Sequence, residues 1–179
     1  MQIPYVALLR GINVSGHHKV SMAELKEKLE LLGFEQVKTL LNSGNVIFSA
    51  ASAEAEQLEQ QIESHLAQHF GFPVPTIIRT AASIKTLYEA NPFQHINMTK
   101  QRRRYVSFFK SKPNAHMDYP WVSEDGSFEI LKISDQEIFS LLDLSKASTP
   151  QAMDVVEKFY GKTVTTRNWN TIERIIKKL

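Results

Sequence analysis

The chain has 179 residues, 42% of them apolar and 9% aromatic, with a formal charge of +2. That is the composition of an ordinary folded protein, long enough to bury a core without covalent staples. The sequence has no cysteine, which excludes disulfides, thiolate chemistry and cysteine-ligated zinc or iron–sulfur centres. No apolar run approaches the about 18 residues of a membrane span. The opening YVALL (5–9) is too short for a signal-peptide core, so a cytoplasmic address is the expectation. Charge is uneven: residues 1–98 carry seven Lys/Arg against nine Glu (−2), and residues 99–179 carry fourteen against ten acidic residues (+4). Much of the second excess is the run KQRRR (100–104), a local patch rather than a nucleic-acid-binding composition.

In chain order, YVALL (5–9) reads as a central strand, being apolar at every position. It breaks off into RGINVSGHHK (10–19). Ser21 and Glu24 then form a capping-box pattern, Met22, Leu25, Leu29 and Leu32 fall at helical spacing, and Gly33 closes the helix. VKTLL (37–41) and VIFSA (46–50) flank the turn NSGN (42–45), which predicts a hairpin. A second helix runs from Ser52 to Phe70, with Leu58, Ile62, His65, Leu66 and His69 on or near one face. Gly71 and Pro73 stop it, and VPTIIR (74–79) is a strand. Strand, helix, strand, strand, helix, strand is the order of a ferredoxin-like plait, with the third strand between the first and second. In that topology the loop after the first strand and the turn NSGN share one end of the sheet. RGINVSGHHK and NSGN are therefore expected to meet.

The second half begins with a short helix, SIKTLYEANPF (83–93), halted by Pro92, and a polar connection, QHINMTKQRRR (94–104). YVSFF (105–109) is a strand, PNAHMDYPWVSEDG (113–126) is turn-rich, and SFEILKI (127–133) and QEIFSLL (136–142) are strands. TPQAMDVVEKFYG (149–161) is a helix with Thr149 as N-cap and Pro150 at its first position. TVTT (163–166) is a brief strand and RNWNTIERIIKKL (167–179) a final helix. If residues 113–122 stand in for a helix, this half repeats the first. The expected fold is therefore α+β, with two tandem ferredoxin-like (βαββαβ) plaits, antiparallel sheets and an extra C-terminal helix. The expected domains are residues 1–80 and 81–179; one larger continuous sheet is the alternative.

Arg10, Gly11, Asn13, Gly16, Asn42, Ser43, Gly44 and Asn45 are the parts of a pocket for an anionic or polar ligand. Arginine offers a planar five-donor fork, asparagines add donors and acceptors, and glycines let a ligand approach the backbone. The helix starting near Ser21 also points amide groups toward an anion. The competing reading is that Asn and Ser cap turns while Arg10 ties two loops together. Arg167, Asn168 and Asn170, around Trp169, add polar groups at a strand-to-helix junction. No metal site is expected, because adjacent His17 and His18 diverge and His65 and His69 look like a helix flank. Ser43 lies outside any nucleophile-elbow pattern. Lys100, Arg102, Arg103 and Arg104, with the aromatics Tyr105, Phe108 and Phe109, imitate an RNA-binding plait without matching its RNP1 signature.

The motifs RGINVSG, LNSGNVIF and TTRNWNT, taken together, resemble the bacterial domain-of-unknown-function family numbered 1697. The resemblance implies two ferredoxin-like plaits and implies no activity or cofactor. Its signature positions map onto Arg10, Gly11, Asn13, Gly16, Ser43, Gly44, Asn45, Arg167, Asn168, Trp169, Asn170 and Thr171. Ser15 departs from it, since family members commonly have glycine there. Four readings stay open: a module binding a small anionic or polar ligand at the Arg/Asn/Gly loop edge, non-specific single-stranded nucleic-acid binding through Lys100–Arg104 and neighbouring aromatics, an enzyme at the same loop edge with His17 as base, and a purely structural or partner-docking role through an exposed plait edge. None requires a cofactor or a membrane.

Overall fold

The computed structural model describes residues 1–14, 16–112 and 118–179. Its architecture is α+β, with two antiparallel sheets and five helices among the described residues. The chain divides into two compact units, Met1–Tyr88 with Arg174–Leu179, and Glu89–Glu173. The division falls inside a helix.

The first unit holds β1 (Gln2–Leu9), α1 (Met22–Leu31), β2 (Glu35–Leu40), β3 (Asn45–Ala51), α2 (Ala55–Phe70), β4 (Thr76–Thr80) and the start of α3 (Ala81–Ala90). Its sheet order is β2-β3-β1-β4, antiparallel throughout. α1 is set by the expected cap, Ser21 Oγ accepting from Glu24 N at 3.5 Å. α2 is entered through Glu54 rather than Ser52 and ends at Gly71, whose φ of 77° no side chain adopts cheaply. Leu25 and Leu29 from α1 and Leu58, Ile62 and Leu66 from α2 pack on Tyr5, Ala7, Leu9, Phe48 and Ile78. Each such aliphatic side chain contributes roughly 1.5–3 kcal/mol by leaving water. Across the two helices, His69 Nε2 lies 2.8 Å from Glu24 Oε1.

The second unit holds the end of α3, β5 (Arg102–Phe109), β6 (Trp121–Val122), β7 (Phe128–Ile133), β8 (Glu137–Asp143), α4 (Thr149–Tyr160), β9 (Val164–Asn168) and the start of α5 (Trp169–Ile176). Its sheet order is β6-β7-β8-β5-β9. Tyr105, Phe109, Phe128, Ile138 and Leu142 form its core with Ala152, Val156 and Tyr160 of α4.

The second unit departs from the sequence expectations in several places. The arginine run is not a connection: Arg102, Arg103 and Arg104 open β5, opposite Asp143, Leu142 and Leu141 of β8. Arg167 and Asn168 end β9 rather than beginning the last helix. Of the segment offered as a helix substitute, residues 113–117 lie outside the described residues, and Trp121–Val122 is an edge strand. Ser148 rather than Thr149 precedes α4, its backbone N–H donating to Gln151 Oε1 at 2.8 Å.

The turn between β6 and β7 is organised by Asp125, whose Oδ1 accepts from Ser123 Oγ at 2.6 Å, Ser127 Oγ at 2.7 Å and Ser127 N at 3.0 Å. These donors, Ser123 first, hold the carboxyl down to about 2. Because the folded value is depressed, the turn is fully supported above the unfolded value near ~4 and loosens as pH falls toward the folded one. A carbon-13 titration of the Asp125 carboxyl is expected to give a midpoint near 2, moving upward in Ser127→Ala. An unshifted midpoint in the parent chain contradicts this account of the turn.

Candidate functional site

β1 runs out at Leu9, one residue past its last ladder pair with β3, Leu8 opposite Asn45. There Leu9 N donates to Gly44 O at 2.8 Å, and Arg10 N donates to Pro75 O at 2.8 Å. The loop after β1 is thereby fastened on one side to the β2–β3 turn and on the other to the segment entering β4. Gly44 has a φ of 74°, and a Cβ there would lie 2.8 Å from both Leu9 Cβ and Ile12 Cδ1. A glycine is required because the two bends touch through its missing side chain.

Asn13 fastens the bends a second time. Its Oδ1 accepts from Val20 N at 2.9 Å, and its Nδ2 donates to Val20 O and to Asn42 O, both at 2.9 Å. Its backbone, at a φ of 56°, donates to His18 O at 3.0 Å. Asn45 is fully buried and its Nδ2 donates to Leu40 O at 2.9 Å and Ser43 Oγ at 3.0 Å. The two asparagine amides therefore act as framework.

His18, also at positive φ, stacks on Phe72 with centroids 4.2 Å apart, and its Nδ1 lies 3.2 Å from Gly11 O. Phe72 follows the glycine stop of α2, so the aromatic in GFP (71–73) marks this anchor in the sequence only in retrospect. What the rim presents to solvent is Gly11, Gly16, His17, His18, Lys19, Asn42 and Ser43, with Arg10 half-buried at its base. Ser15 lies outside the described residues.

The other sequence candidates have different surroundings. Arg167 is 7% exposed, and its Nη1 donates to Thr165 Oγ1 and Thr166 O, both at 3.0 Å. Burial lowers its pKa to about 10. Arg79 in β4 is its counterpart by register: Val6 lies opposite Arg79, as Val106 lies opposite Arg167, and Arg79 Nη1 likewise donates to the preceding carbonyl, Ile78 O. Arg10 and Arg167, each followed three residues on by an asparagine, are therefore not equivalent positions of the two units. Asn168 Oδ1 accepts from Asn170 N at 2.9 Å, capping α5. Asn170 Oδ1 accepts from Arg104 Nη2 at 3.3 Å, and Trp169 is buried edge-on against Phe93.

Within the basic run, Arg102 Nη1 donates to Asn97 O, Arg103 Nη1 to Lys100 O, and Arg104 pairs with Glu173 at 3.2 Å. Lys100 is exposed, but Tyr105, Phe108 and Phe109 are all buried. None of these three aromatics offers a face on which bases could stack. No group of His, Asp or Glu suited to a metal occurs among the described residues. His65 Nε2 is buried without a partner.

The molecule is an α+β chain of two antiparallel sheets, with a glycine-bearing polar rim on the first. The family DUF1697, proteins of unknown function, matches residues 3–139, and the chain belongs to it. The TTRNWNT motif lies beyond the matched span. A conserved bacterial protein, SP0830, from Streptococcus pneumoniae is similar in structure, with a TM-score of 0.72 at 22% identity over 99% of this chain and 98% of that one. No curated protein matches the chain.

Asn13→Ala is expected to destabilise the fold by about 2–4 kcal/mol, from three lost side-chain bonds and left-handed strain. Asn13→Gly relieves the strain and recovers about 1 kcal/mol of that loss. Urea denaturation of the two variants and the parent chain checks the order; equal stability of all three contradicts the clasp.

Proposed function

We propose that the joined rim is a binding site for a small anionic ligand, on a cytoplasmic protein. The observation that carries this reading is the double fastening of the two bends, Leu9 N to Gly44 O and Asn13 Nδ2 to Asn42 O. Exposed Gly11, Gly16, Lys19 and Ser43 and half-buried Arg10 belong to these two joined bends, which supports the reading. Preorganised donors of this kind bind an anion with little ordering cost. In this reading Arg10 supplies the most consequential contact, since charge-assisted hydrogen bonds contribute about 1.5–3 kcal/mol each. Asn13, Gly44 and Asn45 support the edge, and Arg167, Asn168 and Asn170 belong to the framework of the second unit.

The architecture behind the proposal is a pair of tandem ferredoxin-like plaits, residues 1–80 and 81–179 with the appended last helix. The order β2-β3-β1-β4 supports it, as does the matching order β7-β8-β5-β9 within the second sheet, where β6 adds an edge. The second plait lacks its first helix among the described residues.

A thermal-shift series with inorganic phosphate and phosphorylated metabolites is expected to raise the melting temperature of the parent chain and of a control, Lys100→Ala. The same ligands are expected to leave Arg10→Ala unmoved. An identical response of parent and Arg10→Ala to every ligand overturns the assignment.

A further inference from the structure

β4 is an edge strand of the first sheet, bonded to β1 on one side only. In an antiparallel ladder alternate residues direct their backbone groups outward, and an outward row of unpaired N–H groups is a template for another strand. Pro75 O and Arg10 N are paired across the ladder, so the N–H groups of Thr76 and Ile78 point away from β1. They do not meet water. Glu63 Oε1 accepts from Thr76 N at 2.7 Å, and Glu59 Oε1 accepts from Ile78 N at 2.8 Å.

Glu59 and Glu63 stand one turn apart on α2, so the helix delivers two carboxylates at the two-residue repeat of the strand edge. Glu59 is only 3% exposed. A buried carboxylate is costly unless its acceptors are used, and here the edge amide uses one. The opposite edge strand, β2, is blunted by other means: its pairing with β3 shifts between Glu35 and Lys38, with Gln36 at a φ of 53°.

We infer that Glu59 and Glu63 form an edge guard, occupying the hydrogen-bonding positions of β4 that a strand from a second copy of this chain would otherwise take. The guard acts through acceptor geometry. Glutamine, which keeps the Oε1 acceptor, preserves it, and alanine removes it. This inference is independent of the rim and of any ligand there.

The test compares the full-length parent with Glu63→Ala, Glu59→Ala/Glu63→Ala and Glu59→Gln/Glu63→Gln, by amide hydrogen exchange and by light scattering over a concentration series. Both alanine variants are expected to exchange Thr76 N–H at least about tenfold faster than the parent. The double alanine variant also exposes Ile78 N–H, and association beyond the parent state rises with concentration. The glutamine variant behaves as the parent. Parent-like exchange and association in the alanine variants, or glutamine behaving as alanine, overturns the guard. Should the double alanine variant not fold, Glu63→Ala decides the matter at Thr76, because Glu63 is not in the fully buried core.

Discussion

The antiparallel ladder between β1 and β3 is the constraint on which the candidate site depends. Because β3 lies between β1 and β2, the chain must leave β1 and turn from β2 into β3 at the same end of the sheet. Two segments separated by over twenty residues are brought together by pairing geometry alone. The ladder then continues past its last residue pair into the Leu9–Gly44 bond. Gly44 allows this approach: it has no side chain to hold the bends apart, and it tolerates a left-handed backbone.

The rim has an inner and an outer layer. Asn13, Gly44 and Asn45 face inward and use their polar atoms, or their lack of a side chain, to hold the bends in register. Gly11, Gly16, Lys19, Asn42 and Ser43 form the outer layer. Residues of similar type thus serve opposite ends: Asn13 is a clasp, whereas Asn42 contributes its carbonyl to that clasp and keeps its side chain in the exposed turn. Likewise the RNWNT segment divides into a buried arginine, a helix cap, a core tryptophan and an acceptor for Arg104.

The first unit was the more legible in sequence because its signals agree. YVALL is apolar throughout, Ser21 and Glu24 start a helix with periodic leucines, and NSGN sits between two apolar runs. The meeting of the two bends followed from that order of elements. The roles of individual asparagines did not, since the same side chain can cap a turn or face a ligand. In the second unit, Arg102–Arg104 looked like a connection because three consecutive cations suggest solvent. As edge-proximal strand residues they lie half-buried and donate to nearby carbonyls and to Glu173. An arginine at a strand-to-helix junction carries no sequence sign of burial, and only the structure shows Arg167 on the same strand face as its partner Thr165. The two-residue β6 is too short to carry any periodic signal. Glu59 has no sequence signal, because a glutamate in a Glu/Gln-rich helix reads as solvated until its partner, a strand-edge amide, is located in space.

The most direct measurement is a through-hydrogen-bond scalar coupling between the Leu9 amide nitrogen and the Gly44 carbonyl carbon, recorded with the exchange rate of the Leu9 amide. A resolved coupling and a slowly exchanging proton are expected from the Leu9–Gly44 bond. A rapidly exchanging Leu9 amide with no coupling to Gly44 would mean that the bends are not joined, and the rim would cease to exist as a single surface.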